Sequence, residues 1–424
     1  MSLSSHTVLW FAYLVSLYFL IFWFITFWEN KERFKKEEER KLNLDNPPFV
    51  SVLIPAHNEE SQIKDTINSV LKLNYPKDRY EIIVINDGSK DCTKDKIQEV
   101  INENKDRKII VIDQENQGKA DSLNNALKIA KGKFFACLDA DSYVEQDTLM
   151  KMMVLYEKEN DPDLAIITPA MKVKKPKNLL QKFQRIEYMT MMFMGRLMSH
   201  LNCIYVAPGP FSIYRTAIIK KLGGFDKKSL TEDQEIAYRA QKHNYKLRHC
   251  YNAYVYTSTP KKFRQLFKQR NRWYKGGIFN LIKYKNMIWN KKYGDFGIIQ
   301  MTNNVAIFIL GAATISCFSY YVIWPLLKTL YKFFLVGFNI WPYITSWSFT
   351  AIWLDINVPM VMILGLIFMI SSTILYISYK NAREKLHIKH LPHIFLYFLV
   401  YYLFLCLIEL VVFVELARGK KQKW

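Results

Sequence analysis

The sequence predicts an α/β domain with a largely parallel sheet, joined at both ends to a transmembrane helical region. Three observations predict it. Apolar strand-like runs alternate with helical ones from Phe49 to Leu138, several of these runs discharge into polar, turn-rich ends, and long apolar segments lie at both ends of the chain.

From Thr7 to Trp28 the chain is almost wholly apolar and aromatic, enough for a helix to cross a hydrocarbon core that needs about 20 residues. The stretch is long, lacks a basic leader and has no clear small-residue cleavage site after it, which favours a retained anchor over a signal peptide. Residues 1–29 are assigned to this span. Residues 30–48 read as a solvated linker of near-balanced charge ending in Pro47-Pro48.

The folded domain is expected over residues 49–260. Strands are predicted at Val50–Pro55, Glu81–Asn86, Lys108–Asp113 and Lys133–Leu138, with helices near Ser61–Leu73, Lys94–Asn104 and Ala120–Lys131. Strands separated by short helices need crossover connections, so the sheet should be largely parallel with helices on both faces. Ligands of such sheets sit beyond the carboxyl ends of the strands, where His57, Asp87 and Asp139 fall. Between Asn178 and Leu201 an apolar, methionine-rich stripe recurs at near-helical spacing, which fits either core packing or an interfacial helix.

Residues 261–296 mix aromatic side chains with lysines and read as amphipathic interfacial helices. Residues 297–417 hold further spans at Gly297–Leu327, Ile352–Ser378 and His393–Ala417. Tyr331–Ala351, interrupted by Pro342, is a span, a re-entrant piece or an interfacial helix. If it crosses, the basic tail of residues 418–424 is cytoplasmic; otherwise the basic loop Lys380–His390 is.

The net charge of +21 is explained by anionic lipid and the inside bias of basic residues, and no nucleic-acid motif accompanies it. The six cysteines form no Cys-x-x-Cys pair, so Cys92, Cys137, Cys203 and Cys250 read as reduced residues of a cytosol-facing domain, and the spacing argues against zinc. Neither a Gly-x-Gly-x-x-Gly after the first strand nor a P-loop is present, which argues against a dinucleotide oxidoreductase and a P-loop enzyme.

Chemistry concentrates in six places. Phe135–Asp141 delivers Asp139 and Asp141 at i and i+2, which share a face in an extended backbone and can reach one divalent cation; a turn with solvated carboxylates is the alternative. Pro55–Glu59 and Ile85–Ser89 end two other strands, and Gly88 permits a tight turn beside Asp87. Gln117-Gly118-Lys119 precedes a helix, where a solvated helix-start lysine is the plain reading. In Thr231-Glu232-Asp233 the threonine can cap a helix while the acids favour its positive end. Gln269–Trp273 reads either as a working motif or as a basic juxtamembrane helix with one interfacial tryptophan.

As an ordered set from about Phe49 to Gly277, these motifs resemble the membrane-embedded processive family 2 glycosyltransferases, which include cellulose, hyaluronan and poly-N-acetylglucosamine synthases. The resemblance implies a GT-A catalytic domain and inverting, metal-dependent transfer from a UDP-sugar to a growing polysaccharide at the cytoplasmic face. It places Ala56, Glu59 and Asp87 on the uridine, with Asp87 accepting from the imide N–H, and directs Lys119 toward the donor. Asp141 becomes the metal ligand for Mg²⁺ or Mn²⁺, and Asp139 sits beside the ribose and the metal. Asp233 is the candidate general base for the acceptor hydroxyl, with Glu232 and Gly209 on the acceptor side. Gln269 and Arg272 can donate to the diphosphate, and Trp273 offers a flat face on which a sugar ring stacks. His57 stands where the family often has an aromatic and receives no catalytic role. Prolines flank Gly209 where the family often has a serine or threonine.

Expected partners are thus a UDP-sugar, a polysaccharide or lipid-linked acceptor and the bilayer, without nucleic acid. The compact chain looks most like poly-N-acetylglucosamine or hyaluronan-type synthases, which favours N-acetylglucosamine, although no residue reads the acetamido group directly. Two other readings stand beside this one: addition of a single sugar to a lipid acceptor, and a non-catalytic scaffold that binds nucleotide-sugar. Retention of Asp141, Asp233 and Trp273 argues against the scaffold.

Overall fold

The computed structural model describes residues 3–38, 44–335, 337, 341 and 358–419. Eight strands form one sheet: β1 (Val50–Ala56), β2 (Tyr80–Asp87), β3 (Ile109–Gln114), β4 (Phe134–Cys137), β5 (Ser142–Val144), β6 (Leu164–Val173), β7 (Ser212–Arg215) and β8 (Lys246–Thr257). Their order is β3-β2-β1-β4-β7-β6-β8-β5. The first four are mutually parallel, β6 pairs parallel with β8, and β7 runs antiparallel to both β4 and β6. The sheet is therefore mostly parallel, with reversals at β7 and at the edge strand β5, which pairs antiparallel with β8. The expected strands and helices of the first half all form, each within two residues of its expected ends.

Residue alternation explains the two-sided core. In β1 and β2, Val52, Ile54, Ile82 and Val84 face one cluster, while Leu53, Ile83 and Ile85 face the other. The long N-terminal helix α1 (Leu3–Glu38) precedes the sheet. Helices α2 (Ile63–Leu71), α3 (Thr93–Glu103) and α5 (Thr148–Glu159) cover the first face. The second is covered by α4 (Lys119–Ile129), α7 (Thr216–Lys221) and α8 (Glu232–Lys242). The register pairs Ala56 with Asn86, Asp87 with Gln114, and Leu53 with Cys137, so the parallel strands end along one edge.

α1 spans 36 residues, about 54 Å. It continues through the first part of the segment expected as a linker, because its Lys, Glu and Arg are good helix formers and its far end is held. Arg196 packs its guanidinium 4.3 Å from the Phe34 ring and donates to the Phe34 carbonyl at 2.6 Å.

The methionine-rich stripe forms α6 (Leu179–His200), and its buried face follows the core-packing expectation. Ile186, Met189 and Met192 pack with Ala170 and Tyr254 of the sheet, while Phe193 and Leu197 meet Trp23 and Phe34 of α1. After α9 (Phe263–Lys283) come α10 (Met301–Phe318), α11 (Trp324–Leu335), α12 (Val358–Asn381), α13 (Leu391–Leu396) and α14 (Tyr402–Ala417). Among the described residues, four helices are long and apolar enough to cross a membrane: Leu9–Lys35, Phe296–Leu335, Val361–Asn381 and Ile388–Ala417. Beyond Leu335 the ambiguous Tyr331–Ala351 segment lies, apart from Gly337 and Trp341, outside the described residues.

α9 is wedged between α8 and α14. A Cβ added at Gly276 would fall 2.5 Å from Thr231 Cγ2, so only glycine lets α9 approach the start of α8 this closely. Gly276→Ala is expected to destabilise the protein by about 1–3 kcal/mol, read as a lowered unfolding midpoint in detergent. An unchanged midpoint would show that α9 can move away freely.

Candidate active site

The strand edge opens into two adjoining cavities. The smaller, about 270 Å³, is lined by Ala56, His57, Glu59, Asp87 and Ser122 together with Lys119, Asp139 and Asp141. The larger, about 520 Å³, shares Lys119, Asp139 and Asp141 and adds Gly209, Glu232, Asp233, Gln269, Arg272 and Trp273. All twelve residues singled out in the sequence therefore line one of the two cavities or both.

Asp139 and Asp141 reach the site differently from the expected extended pair. β4 ends at Cys137, and Ser142 N donates to Asp139 O at 3.0 Å, closing a turn before β5. Thr66 Oγ1 donates to Ala140 O at 2.7 Å, which pins that turn from α2.

Asp87 is occupied chiefly with the chain itself. Its Oδ1 accepts from Gln114 Nε2 at 2.8 Å and Gln117 N at 2.9 Å, and its Oδ2 accepts from Gly118 N at 2.9 Å. A carboxylate has about four lone-pair sites, so one on Oδ2 remains for the expected uracil contact. Gly88 adopts φ +64°, as its turn requires. His57 Nδ1 lies 2.7 Å from the Asp87 carbonyl; because a carbonyl only accepts, that nitrogen carries the proton. His57 thereby braces β1 against β2.

Lys119 stands at the boundary of the cavities, with Nζ 2.6 Å from Asp139 Oδ1 and 3.1 Å from Glu232 Oε1. Burial works against its charge, but Asp139, Glu232 and Asp233 outweigh it and hold the ammonium above its ordinary range. Burial also opposes the charge of Glu232, yet Lys119 keeps that carboxyl below its usual range. Asp233 is pushed the other way by burial and by Glu232 beside it. One neighbour of the lysine is thus a firm anion and the next a proton acceptor of raised basicity. Asp233 Oδ1 accepts from Gln234 N at 2.8 Å, at the first turn of α8.

Gly209 has a steric role. A Cβ there would lie 2.6 Å from both Asp139 Oδ2 and Lys119 Nζ. The following Phe211 is fully buried at φ +63°, and its N–H donates to Cys137 O at 2.6 Å, so the loop is drawn onto the end of β4.

From α9, Arg272 Nη1 donates to Leu230 O at 3.1 Å, placing it beside the Thr231–Asp233 turn. Among the described residues the buried Gln269 Oε1 has no hydrogen-bond partner, a cost that a ligand donor would relieve. Sequence reasoning missed Glu187, Tyr188 and Arg270, which also line the larger cavity. Glu187 carried a legible signal as the only acidic residue of α6.

The oxygen chemistry fits a hard cation. Burial, then Asp139, push the Asp141 carboxyl up to about 6, a penalty that a cation would remove. Glu59 is raised to about 7 by burial and by Asp141, Asp91 and Asp139, so this corner of the smaller cavity carries excess negative charge. Among the described residues no three His, Cys, Asp or Glu side chains are grouped to hold a metal. Asp141 would supply part of a coordination sphere, with Asp139 beside it and ligand oxygens or water completing it.

Residues 47–276 match the model of a family described as Glycosyltransferase like family 2. The chain is 30% identical over 272 residues to a poly-beta-1,6-N-acetyl-D-glucosamine synthase of Staphylococcus aureus, covering 64% of each chain. It is also 30% identical over 288 residues to a synthase of the same description from Staphylococcus epidermidis, covering 68% of this chain and 65% of that one. The matches thus span just under two thirds of those relatives' length. A mannosyltransferase from Pyrobaculum calidifontis, solved in complex with GDP-Man and Mn²⁺, shares the fold with a TM-score of 0.57 over 97% of this chain and 100% of that one, at 16% identity.

Proposed function

This chain belongs to glycosyltransferase family 2 and, on that premise, we propose that it transfers N-acetylglucosamine from UDP-N-acetylglucosamine to a growing polysaccharide, with inversion, at the cytoplasmic face of a membrane. The observation that carries the reading is the convergence of Asp233 and Trp273 on a cavity whose other wall is Lys119, Asp139 and Asp141. The smaller cavity takes the nucleotide, with Ala56, Glu59 and Asp87 around the base and ribose. Mg²⁺ or Mn²⁺ held by Asp141, with Asp139 beside it, would supply positive charge for the departing diphosphate. Gln269 and Arg272 donate to the same phosphates, and Lys119 keeps Asp139 and Glu232 fixed between donor and acceptor. Asp233 takes the proton of the acceptor hydroxyl as the new bond forms, and Trp273 stacks on the acceptor ring.

A second reading, transfer of one sugar to a lipid-linked acceptor, is favoured by an apolar chamber of about 490 Å³. Phe19, Leu20, Trp23, Met194, Met198 and Ile374 line it, and it adjoins the larger cavity through Tyr188, Met191, Tyr205 and Ile307. Such walls suit a hydrocarbon chain better than sugar hydroxyls.

Incubating membranes with separately labelled UDP-sugars, followed by product sizing, tests both. The proposal expects label from UDP-N-acetylglucosamine in a ladder or long polymer, abolished by a chelator and restored by Mg²⁺ or Mn²⁺. One discrete glycolipid would establish the second reading, and incorporation of another sugar alone would overturn the donor assignment.

A further inference from the structure

Buried ionic groups that the proposed reaction leaves unused stand directly behind Trp273. Arg270 is 3% exposed, and its Nη2 donates to Glu187 Oε2 at 2.7 Å. The same oxygen accepts from the Tyr401 hydroxyl at 2.8 Å. The Arg270 guanidinium carbon also lies 4.1 Å from the centroid of the Trp273 ring, within range for attraction between a cation and an indole face.

The four members of this network come from three parts of the fold. Glu187 belongs to α6, which packs on the sheet; Arg270 and Trp273 belong to α9; and Tyr401 closes the π-helical turn Tyr397–Tyr401 within the last candidate span. Short π-helical turns interrupt an α-helix at some cost and recur at functional positions. The Tyr401 ring is 1% exposed and sits 5.5 Å from Phe183 of α6, so its hydroxyl is held against Glu187 by packing. The planar guanidinium can meet a carboxylate in its plane and an aromatic ring across its face, which a lysine ammonium cannot reproduce.

We propose that Glu187 and Tyr401 are positioning residues that hold Arg270 against the Trp273 ring, so that the last membrane helix sets the orientation of the surface on which the acceptor sugar stacks. This rests on the reading of Trp273 as the acceptor platform. The relay touches the larger cavity and leaves the nucleotide cavity alone, since Glu187, Arg270 and Trp273 line only the former of the two. Within the larger cavity the relay touches the Trp273 ring itself, so its failure falls on acceptor binding before it reaches the phosphate contacts of Gln269 and Arg272.

The test uses the full chain in detergent or nanodiscs, with UDP-N-acetylglucosamine as donor and an N-acetylglucosamine oligosaccharide as acceptor. Tyr401→Phe keeps the buried ring and removes only the hydroxyl, so it is preferred to changes at Arg270 or Glu187 that strand a buried charge. It is expected to raise the acceptor KM about threefold to tenfold with the donor KM unchanged. In a Trp273→Ala background it should raise the acceptor KM no further, because the two residues act through one contact. Equal effects on both KM values, or the same effect with and without Trp273, would overturn the relay. If Trp273→Ala raises the acceptor KM while Tyr401→Phe does not, the relay alone fails. If Trp273→Ala leaves it unchanged, the platform reading fails and takes the relay with it.

Discussion

Asp233→Asn is expected to lower UDP release in the presence of acceptor and metal by roughly 10²- to 10⁴-fold, the range for loss of a general base. The amide keeps the size of the side chain, and its carbonyl can still accept from Gln234 N, so α8 should keep its first turn and the protein should fold. The amide cannot take a proton from a hydroxyl. The same assignment fixes the pH profile. Burial and Glu232 raise the Asp233 carboxyl, and a base is lost when it is protonated, so activity should fall with decreasing pH through an acid limb above the ordinary aspartate value of about 3.9. Equal UDP release from Asp233→Asn and the parent protein would remove Asp233 from the reaction. A profile that stays flat down to that ordinary value would contradict the raised basicity of the group.

Gly209→Ala should have the second largest effect, although it alters no charged or polar side chain. The new Cβ would lie 2.6 Å from both Lys119 Nζ and Asp139 Oδ2, so the ion pair at the junction of the two cavities must open or the loop must retreat. Opening the pair leaves two largely buried charges poorly matched, and retreat of the loop pulls on Phe211, which is fixed by its bond to Cys137 O. Either response displaces the groups that line both cavities. A fall of about 10²-fold in kcat/KM is expected, the scale on which a misplacement of about 1 Å acts, with thermal stability changed far less. Activity equal to that of the parent would show that the junction of the cavities does not need its observed geometry.

The first half of the domain was legible because its local signals agree. β1 and β2 are continuous apolar runs long enough only for strands, the helices between them carry one apolar stripe each, and the strand ends are marked by Gly88 and the polar Asn58–Glu59 and Asp87–Ser89 turns. Asp87, Asp139 and Asp141 were placed near one another by topology alone, since parallel strands must end on the same edge. The reversal at β7 was not legible. β7 is four residues long, and nothing within it announces that it will pair between β4 and β6.

The same limit applied to the site. Two of its anions, Asp139 and Glu232, are 93 positions apart in the numbering, and only the fold brings a single lysine within 3.1 Å of both. Asp87 illustrates a subtler limit: its position was readable, whereas the three hydrogen bonds that commit most of it to the Gln114–Gly118 loop were not. Glu187 and Arg270 sat in plain view, one as an acid in an apolar helix and the other inside Gln269–Trp273, but their pairing requires α6 and α9 to meet.

By itself the sequence determined the parallel half of the sheet, the apolar helices at both ends and the residue types available for the chemistry. These depend on periodicity and composition, which act over a few residues. The tertiary structure alone decided which charges neutralise one another, why residue 209 has no room for a side chain, and how α9 is clamped between Thr231 and the last helix. Those are contacts between distant segments, and their energies exist only once the packing has removed water and fixed the distances.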